Sequence, residues 1–495
     1  MAPFCTQMGG SVASAPEGWV STSASTSQAL PDGFRVTLDP RALHVEAERL
    51  LVGGSPLTAL RISPAATSLL DDGRVLVTGP ASATLADRLV ATNLARPDLT
   101  HLAPAAPDDL TVVVPVRDRP EQLDRCLSAL HPLSVIVIDD ASHAPEAVAA
   151  VAQRHGAALL ALEVNAGPAA ARNAGLAHVT TPLVAFVDSD VEATSHALLQ
   201  LSGHMADPAV VLVGPRVVGH ARSPNPRWFE RYDLTASSLT LGTTPATVRP
   251  GAAVAWLPSA CLIARTDQLG DGFDHRLRVG EDVDLVWRLV AAGHRVRYEP
   301  GVTVRHDVRP SVRGWLGRKM LYGSGSAGLA QRHGSHVAPA VLSPTMALAG
   351  AAILLRHRWS LPVIVGALVV TARSIERALP RALTRGTRAR VAARLAVRAT
   401  GWSARQQSVL LLRHWWPAAA VGCVLSAEVR RAVVAALVLD TCVALTEQPD
   451  RSLSVTTVFA GRRLDDLAYG AGLWWGTLRS RDLTALRPRR PGDIR

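Results

Sequence analysis

The sequence predicts an α/β domain with a largely parallel sheet, preceded by a small α+β module and followed by a helical, apolar region. From Leu110 to about Asp307, short apolar runs alternate with helical segments, as in parallel sheets that helices cover on both faces. Carboxylates and glycines follow the apolar runs, where the ligands of such sheets bind. From residue 326 to residue 495, long apolar stretches alternate with arginine-rich ones.

Composition limits the classes of partner. At 495 residues the chain exceeds one ordinary core, so we expect two or three domains. The formal net charge is +11, almost all of it from arginine, with Lys319 the only lysine. This charge favours phosphates or acidic lipids as partners, and without a nucleic-acid-binding motif we expect no nucleic acid. Five widely spaced cysteines, with no Cys-x-x-Cys pair, fit a reducing cytoplasm better than a disulfide framework.

The first hundred residues predict a disordered segment and a small module. Residues 1–30 are rich in Ser, Thr, Ala and Gly and lack hydrophobic periodicity, so we expect disorder. They also lack the basic and apolar segments of a secretory signal. In residues 31–103, short strands precede a helix that Ser63 caps. This order resembles the peptide-binding modules of peptide-derived natural product pathways. The alternative is a small domain that only packs on its neighbour.

The α/β region begins after a Pro/Ala/Asp linker at residues 104–109. Near-continuous apolar runs predict four buried strands, with two helices between them. The strands are expected at Val112–Val114, Val135–Ile138, Leu159–Val164 and Val184–Val187, and the helices at Glu121–Leu130 and Glu146–His155.

The triplet Asp188-Ser189-Asp190, which contains two carboxylates, closes the fourth of these strands. Two carboxylates two residues apart at an exposed strand end are able to bind one divalent cation. Oxygen ligands favour Mg²⁺ or Mn²⁺ over zinc. An isolated triplet of this kind is also typical of an ordinary acidic turn.

Two further strand ends carry residues suited to a nucleotide. Pro115 and Arg117 follow the first strand, where backbone groups are expected to meet a nucleoside. Asp139 and Asp140 follow the second strand, and a carboxylate there is able to accept a hydrogen bond from uracil N3–H. A strand-ending proline and a helix-capping Asp pair are the structural alternatives.

A glycine-rich segment, Asn165–Gly175, has the pattern N-x-G-x-x-x-A-R-N-x-G. Gly167 permits a turn close to a nucleotide. Arg172 then projects from the start of a helix and is expected to meet the diphosphate or the base. Asn173 belongs to the same pattern.

In their order along the chain, these motifs and Gly280-Glu281-Asp282-Val283-Asp284 resemble the family 2 glycosyltransferases, which move a sugar from a nucleotide diphosphate to a hydroxyl. The resemblance covers residues 110–325 and implies the GT-A nucleotide-diphospho-sugar transferase fold and an inverting reaction. It matches Asp282 with the general base, at a helix start whose dipole favours the ionised form. The remaining roles that it implies are acceptor binding by Trp256, Ser259 and Glu281, and a third metal ligand, His306, beside Asp188 and Asp190.

Two stretches, Gly272–Asp284 and Arg227–Asp233, look like the mycofactocin-system branch of that family. This resemblance implies transfer of glucose from UDP-glucose to a peptide-derived redox cofactor precursor, forming a short β-linked glucan. The module at residues 31–103 would then bind the peptide-derived acceptor or its precursor peptide. The chain lacks the Gln-x-x-Arg-Trp motif of processive synthases, which argues against a long polymer. The alternatives are a lipid or cell-wall glycan acceptor, or a non-catalytic peptide-binding scaffold.

The region at residues 326–495 predicts association with an anionic membrane surface. Val337–Leu355 is an uncharged run of nineteen residues, close to the roughly 20 that a spanning helix needs. Arginines from Arg373 to Arg398 follow one another mostly in steps of three or four, which predicts a helix with one basic face. We therefore expect the cytoplasmic face of the cell membrane. The alternatives are a solvated helix and a cytoplasmic protein.

Overall fold

The computed structural model describes residues 29–45, 49–379, 381, 383–448 and 452–491 of the chain. Apart from its last two residues, the predicted disordered segment lies outside the described residues. Leu30 is buried in the core of the module that follows.

The N-terminal module consists of two small antiparallel sheets packed on a helix. Strand order is β5-β1-β6 in one sheet and β2-β3-β4 in the other. Leu51 faces the module's own core, whereas Leu50 and Val52 face a second cluster formed with residues around Leu379 and Leu383. The alternation of side chains along a strand explains why β3 joins two cores. The elements are β1 Arg35–Leu38, β2 Leu43–Val45, β3 Leu50–Gly53, β4 Thr58–Arg61, α1 Pro64–Thr67, β5 Arg74–Leu76, α2 Pro80–Ala91 and β6 Ala95–Pro97.

The central domain is built on a mixed sheet, to which nine strands belong within the described residues. Its strand order is β11-β15-β12-β14-β10-β7-β8-β9, and β13 pairs with β15. The elements are β7 Leu110–Val116, α3 Pro120–Leu130, β8 Ser134–Asp139, α4 Pro145–Arg154, β9 Ala158–Ala161, α5 Pro168–Leu176, β10 Leu183–Val187, β11 Val191–Glu192, α6 Ser195–Ser202, β12 Val210–His220, α7 Trp228–Thr235, β13 Ala246–Val248, β14 Cys261–Arg265, α8 Glu281–Ala291, β15 Arg295–Asp307 and α9 Val312–His333.

The parallel part of this sheet lies where the apolar runs predicted it. Strands β10, β7, β8 and β9 pair in parallel. Val113 packs into the core on one face and Val112 and Val114 into the core on the other, which accounts for the uninterrupted apolar sequence of β7. Strand β14 is antiparallel to both β10 and β12, so the sheet is mixed beyond β10.

The C-terminal helices share a core with the central sheet. Helix α9 runs through residue 325, where the sequence predicted a domain boundary. A Cβ at Gly323 would overlap the backbone oxygen of Tyr469, and one at Gly472 that of Met320, so glycines permit α9 and α15 to touch through their backbones. The remaining helices are α10 Pro344–Leu355, α11 Ser360–Ala378, α12 Arg385–Val409, α13 Trp416–Leu425, α14 Ala427–Thr446 and α15 Val455–Ser480.

Two predictions for this region need correction. The uncharged run from Val337 does not form one helix, because α10 begins only at Pro344, where the missing N–H of proline is tolerated. The arginine-rich segment is divided between α11 and α12, so its basic residues do not share one helical face. No single helix among the described residues is long and apolar enough to cross a membrane. Arg385–His414 and Trp416–Leu425, with a bend of 92°, meet that requirement only as a pair.

Candidate active site

A cavity of about 690 Å³ lies at the carboxyl ends of the parallel strands, within the usual size range of small-molecule sites. It brings together most of the residues that the sequence selected. Those that line it are Pro115, Arg117, Asp140, Gly167, Arg172, Asp188, Asp190, Trp256, Ser259, Glu281, Asp282 and His306. Asp139 and Asn173 do not line it.

The two carboxylates at the end of β8, Asp139 and Asp140, have different roles. Asp140 accepts hydrogen bonds from the backbone N–H groups of Ala166 at 2.7 Å and Gly167 at 3.0 Å. It thereby holds the glycine-rich loop against the cavity. Asp139 is buried and accepts from the backbone N–H of Ser142 at 3.0 Å. Because successive side chains of a strand point to opposite sides, Asp139 shapes the turn and only Asp140 reaches the cavity.

Asn173 also acts outside the cavity. Its amide nitrogen donates to the backbone oxygen of Phe273 at 2.7 Å, and its amide oxygen accepts from the N–H of Phe273 at 2.9 Å. This pair of bonds fixes the loop before α8 to helix α5. The glycine-rich segment Asn165–Gly175 therefore also positions the distant loop that contains Phe273.

Arg172 connects the strand-end carboxylates with helix α8. Its buried guanidinium donates to Asp188 at 2.5 Å and to Glu281 at 3.0 Å. Burial by itself would lower the pKa of Arg172, but the two carboxylates outweigh burial and raise it. Arg172 is thus a permanent cation that holds the two sides of the cavity together.

Asp190 and His306 meet because two strands pair. In the antiparallel pair β11–β15, Val191 lies opposite His306, and the imidazole Nε2 is 3.6 Å from the Asp190 carboxylate. Arg119 at 2.6 Å and Arg309 at 3.2 Å also contact Asp190. Burial would raise the pKa of Asp190, but His306, Arg309 and Arg119 outweigh it and lower that pKa to about 2.

Asp188 and Asp190 offer the carboxylate oxygens that a hard divalent cation prefers, and both of them already pair with arginines. Within the described residues, no three of His, Cys, Asp or Glu are gathered closely enough to form a ready metal cluster. The Asp190 carboxylate is nevertheless anionic and surrounded by cationic groups, with the His306 imidazole beside it. Asp188 lines the same cavity. This oxygen-rich donor set suits Mg²⁺ or Mn²⁺.

Four arginines that the sequence motifs did not indicate also line the cavity: Arg119, Arg278, Arg309 and Arg318. Arg119 and Arg309 contact Asp190, and Arg318 lies 5.7 Å from the centre of the Tyr322 ring. The available sequence signals were the position of Arg119 two residues after Arg117 and that of Arg309 three residues after His306. Together these arginines give one wall of the cavity the positive charge that binds phosphates.

Asp282 lies at the first turn of α8 and lines the same cavity. Its carboxylate accepts from the backbone N–H groups of Ser259 at 3.2 Å and Val283 at 2.8 Å. Burial, and then the nearby charge of Glu281, raise the pKa of Asp282 to about 7. The helix dipole favours the ionised form, whereas burial and the charge of Glu281 act in the opposite direction and raise the pKa. A pKa near neutrality suits a group that accepts and releases a proton.

Comparison with known proteins agrees with this geometry. A family model described as glycosyl transferase family 2 matches residues 111–253. A pre-mycofactocin glycosyltransferase of Mycobacterium tuberculosis is 40% identical over 483 residues, which covers 94% of this chain and 99% of the relative. The succinoglycan biosynthesis protein ExoU of Rhizobium meliloti is 30% identical over 210 residues, or 39% of this chain and 60% of that protein.

A solved structure, the mannosyltransferase PcManGT from Pyrobaculum calidifontis in complex with GDP-Man and Mn²⁺, is 20% identical. It covers 68% of this chain and 89% of its own, with a TM-score of 0.35.

The cavity combines carboxylates at the strand ends, a cluster of arginines and Asp282. This arrangement defines an enzyme that transfers a sugar, a glycosyltransferase. The near-complete coverage of a relative at 40% identity makes the assignment more specific. The chain belongs to the family 2 glycosyltransferases and, within them, to the mycofactocin-system branch.

Proposed function

We propose that the protein transfers glucose from UDP-glucose to a peptide-derived redox cofactor precursor of the mycofactocin pathway, with inversion, and forms a short β-linked glucan. The observation that carries this proposal is the pair of hydrogen bonds from Arg172 to Asp188 and Glu281. They join the strand-end carboxylate to the start of the helix that bears Asp282. One cavity thus contains a phosphate-binding wall and a base. The choice of acceptor is supported by the relative named a pre-mycofactocin glycosyltransferase, which aligns with 94% of the chain.

The donor is bound along the strand ends. The loop at Pro115 and Arg117 and the loop held by Asp140 receive the uridine, while Arg119 and Arg309 face the diphosphate. A divalent cation held by Asp188, Asp190 and His306 would neutralise charge on the departing diphosphate. The arginines supply part of the same electrostatic stabilisation from the protein itself.

The transfer is a single displacement. The acceptor hydroxyl lies against Trp256 and Ser259, and Asp282 takes its proton as the oxygen attacks the anomeric carbon. The bond from that carbon to the phosphate oxygen breaks on the opposite side, and UDP leaves with the electron pair. Attack from the side opposite the leaving group converts an α-linked donor into a β-linked product. Burial, and then the charge of Glu281, which Arg172 fixes in place, keep the pKa of Asp282 high enough for proton transfer.

The test is transfer by the purified full-length protein. With Mn²⁺, UDP-glucose and the pathway's precursor, we expect UDP release and acceptor products heavier by whole hexose units, with β-linkages by NMR. UDP-galactose serves as the matched donor control, because it differs at one stereocentre. An α-linked product would exclude single displacement, and preferential use of UDP-galactose would overturn the assignment of the sugar.

We also propose that the C-terminal helices rest on the cytoplasmic face of an anionic membrane. Leu361, Val365 and Val369 follow one another at intervals of four on α11 and are exposed, and Val424 at the end of α13 is 81% exposed. Exposed arginines on α11 and α12 supply positive charge. The Val424→Asp variant should float less with anionic vesicles than the control Val164→Asp, which changes a similarly exposed valine of the central domain. Equal flotation of the two variants would contradict this surface.

We propose that the N-terminal module recruits the peptide-derived acceptor or its precursor peptide. Among the described strands, β2 pairs only with β3, and we propose that the peptide adds as a strand at the other edge of β2. Hydrogen bonds such as Asn93 to the backbone of Thr247 join the module to the central domain, so point variants are better tests than deletion. Leu43→Lys on β2 should weaken precursor-peptide binding and spare donor hydrolysis. Leu76→Lys, on the edge strand β5 of the other sheet, is the control, and equal effects would argue against β2.

A further inference from the structure

One face of helix α9 lines the active-site cavity. Its residues follow one another at steps of three or four, a spacing that keeps side chains on the same side of a helix. They are Arg318, Tyr322, Gly325 and Leu329. Lys319, next to this face, is buried, and its ammonium group contacts the Asp465 carboxylate of α15 at 2.8 Å. This buried ion pair fixes α9, and with it the face that lines the cavity.

The C-terminal part of this face packs against the turn that presents Asp282. A Cβ at Gly325 would lie 2.9 Å from the backbone oxygen of Val279. A Cβ at Gly280 would lie 2.8 Å from the Leu329 side chain. Val279 and Gly280 directly precede α8, whose first turn bears Asp282. This part of α9 therefore lies beside the proposed base.

Arg318 lies about two helical turns before Gly325 and belongs to the positively charged side of the cavity. Burial would raise the pKa of the Asp190 carboxyl, but nearby cations outweigh burial and lower that pKa to about 2. In order of decreasing effect, these cations are His306, Arg309, Arg119 and Arg318. Arg318 is thus near the place where we propose that the diphosphate binds.

Tyr322 lies on this face between Arg318 and the turn before α8. It is one helical turn after Arg318, whose guanidinium is 5.7 Å from the centre of the Tyr322 ring, and three residues before Gly325. Burial raises the pKa of the Tyr322 phenol, the charges of Arg318 and Lys319 lower it, and the charge of Asp282 raises it. The phenol is therefore close both to the proposed base and to the positively charged side of the cavity.

A single displacement places the transferred sugar between those two parts of the cavity. The attacking hydroxyl, the anomeric carbon and the departing phosphate oxygen lie roughly in line, because attack occurs from the side opposite the leaving group. The sugar consequently lies between the base that receives the proton and the cations that face the diphosphate. A side chain of α9 between these groups borders the sugar.

The Tyr322 hydroxyl is free to bind a ligand. No group among the described residues hydrogen-bonds it. By contrast, the Tyr298 hydroxyl donates to the backbone oxygen of Gly242 at 2.7 Å. The Tyr469 hydroxyl is 3.0 Å from that of Ser326. A phenol donates and accepts hydrogen bonds, and its ring packs against apolar atoms, so it suits a sugar, which presents hydroxyl groups and C–H faces together.

We infer that Tyr322 contacts the transferred sugar of the donor, and that its hydroxyl forms a hydrogen bond with one hydroxyl of that sugar. The inference rests on the proposed function, whose donor it describes more closely. Because the uridine and the diphosphate bind to other residues, Tyr322 distinguishes donors that share UDP and differ in the sugar. It takes no part in proton transfer, for which Asp282 is proposed.

Binding without an acceptor gives the first test. Tyr322→Phe removes only the hydroxyl and keeps the ring. In calorimetric titrations with Mn²⁺, this variant should bind UDP as the unaltered protein does and UDP-glucose roughly five- to tenfold more weakly, the usual effect of one hydrogen bond. Equal weakening of UDP and UDP-glucose would assign the hydroxyl to the nucleotide and overturn the inference. Unchanged affinity for both would also overturn it.

Donors that lack single hydroxyls give the second test. We compare kcat/KM for UDP-glucose and for its 3-deoxy, 4-deoxy and 6-deoxy analogues. The hydroxyl that Tyr322 binds is identified by the analogue that Tyr322→Phe and the unaltered protein use equally well, while the other donors lose roughly five- to tenfold. Tyr469→Phe is the matched control, because that hydroxyl pairs with Ser326, and it should change all donors by one common factor. A common factor for Tyr322→Phe as well would contradict the inference.

The two titrations also separate this inference from the proposed function. If UDP-glucose binds and is turned over but Tyr322→Phe behaves like the unaltered protein, the proposed function stands and the inference fails. If the unaltered protein prefers UDP-galactose, the proposed sugar is wrong, and the comparison of UDP with UDP-galactose tests Tyr322. If it binds neither UDP nor its sugars, the proposed nucleotide is wrong, and the comparison of GDP with GDP-glucose tests Tyr322 in the same way.

Discussion

Replacement of Asp282 by Asn should abolish most turnover while making the folded protein more stable. Asn keeps the size and shape of the side chain but has no basic oxygen, so turnover should fall by roughly 10² to 10⁴, the usual contribution of a positioned base. Affinity for UDP and metal should hardly change, because we propose that Asp188, Asp190 and Arg172 carry those interactions. In the unaltered enzyme, kcat/KM should rise with pH and level off above about 7, where Asp282 is ionised.

The gain in stability follows from the raised pKa of Asp282. The folded-state pKa of about 7 lies well above the ordinary value of 3.8 for an aspartate, and each pKa unit corresponds to about 1.4 kcal/mol. The free energy of unfolding therefore decreases as pH rises above the unfolded pKa, and the full penalty of about 4 kcal/mol is present above pH 7. Asn has no such penalty, but it leaves one of the two backbone N–H groups less well paired, at about 1 kcal/mol. The variant should be about 3 kcal/mol more stable at pH 8, and below about pH 4 it should be no more stable than the parent.

Urea titrations of tryptophan fluorescence at several pH values measure this difference. Asp284→Asn on the same helix is the matched control with the opposite expectation. Burial would raise the pKa of Asp284, but its hydrogen bonds with His333 and Arg288 outweigh burial and lower it. The stabilisation that ionised Asp284 provides is thus present above its unfolded-state pKa. Asp284→Asn should therefore destabilise the folded protein at pH 8. If the Asp282→Asn protein is no more stable than the parent at pH 8, the desolvation argument is refuted. If its turnover is near normal, another residue is the base, and Glu281 is the next candidate.

Three further predictions concern the site and its support. Asp188→Ala and Asp190→Ala should each abolish metal-dependent UDP binding in calorimetric titrations with Mn²⁺, and unchanged affinity in both would remove the metal assignment. Arg172→Lys should lower turnover by about tenfold to a hundredfold, because an ammonium group cannot hold two carboxylates in the guanidinium geometry; steady-state kinetics showing no loss would contradict its connecting role. Gly472→Ala should destabilise by about 1 to 3 kcal/mol, because a Cβ there collides with the Met320 backbone oxygen; an unchanged unfolding midpoint in urea would show that α9 and α15 separate easily.

Local sequence determined most of the central sheet and the donor side of the site. Apolar runs such as Val112–Val114 are buried on both faces, so their composition alone marks them as strands. The polar residues that follow a parallel strand emerge at a common edge. Asp140, Gly167, Asp188 and Asp282 could therefore be assigned to one cavity from their order and their positions after strands or before helices.

The tertiary structure decided which of these residues face the cavity and with what charge. The pairing of β11 with β15 places His306 beside Asp190 although 116 positions separate them, and the alternation of side chains at the end of β8 assigns Asp140 but not Asp139 to the cavity. Part of the cavity wall comes from α9 and α15, whose contact depends on glycines far apart in sequence. The pKa of Asp282 reflects burial and Glu281 together. The burial of a side chain and the electric field around it depend on segments that are distant in sequence. No local sequence pattern contains those contributions.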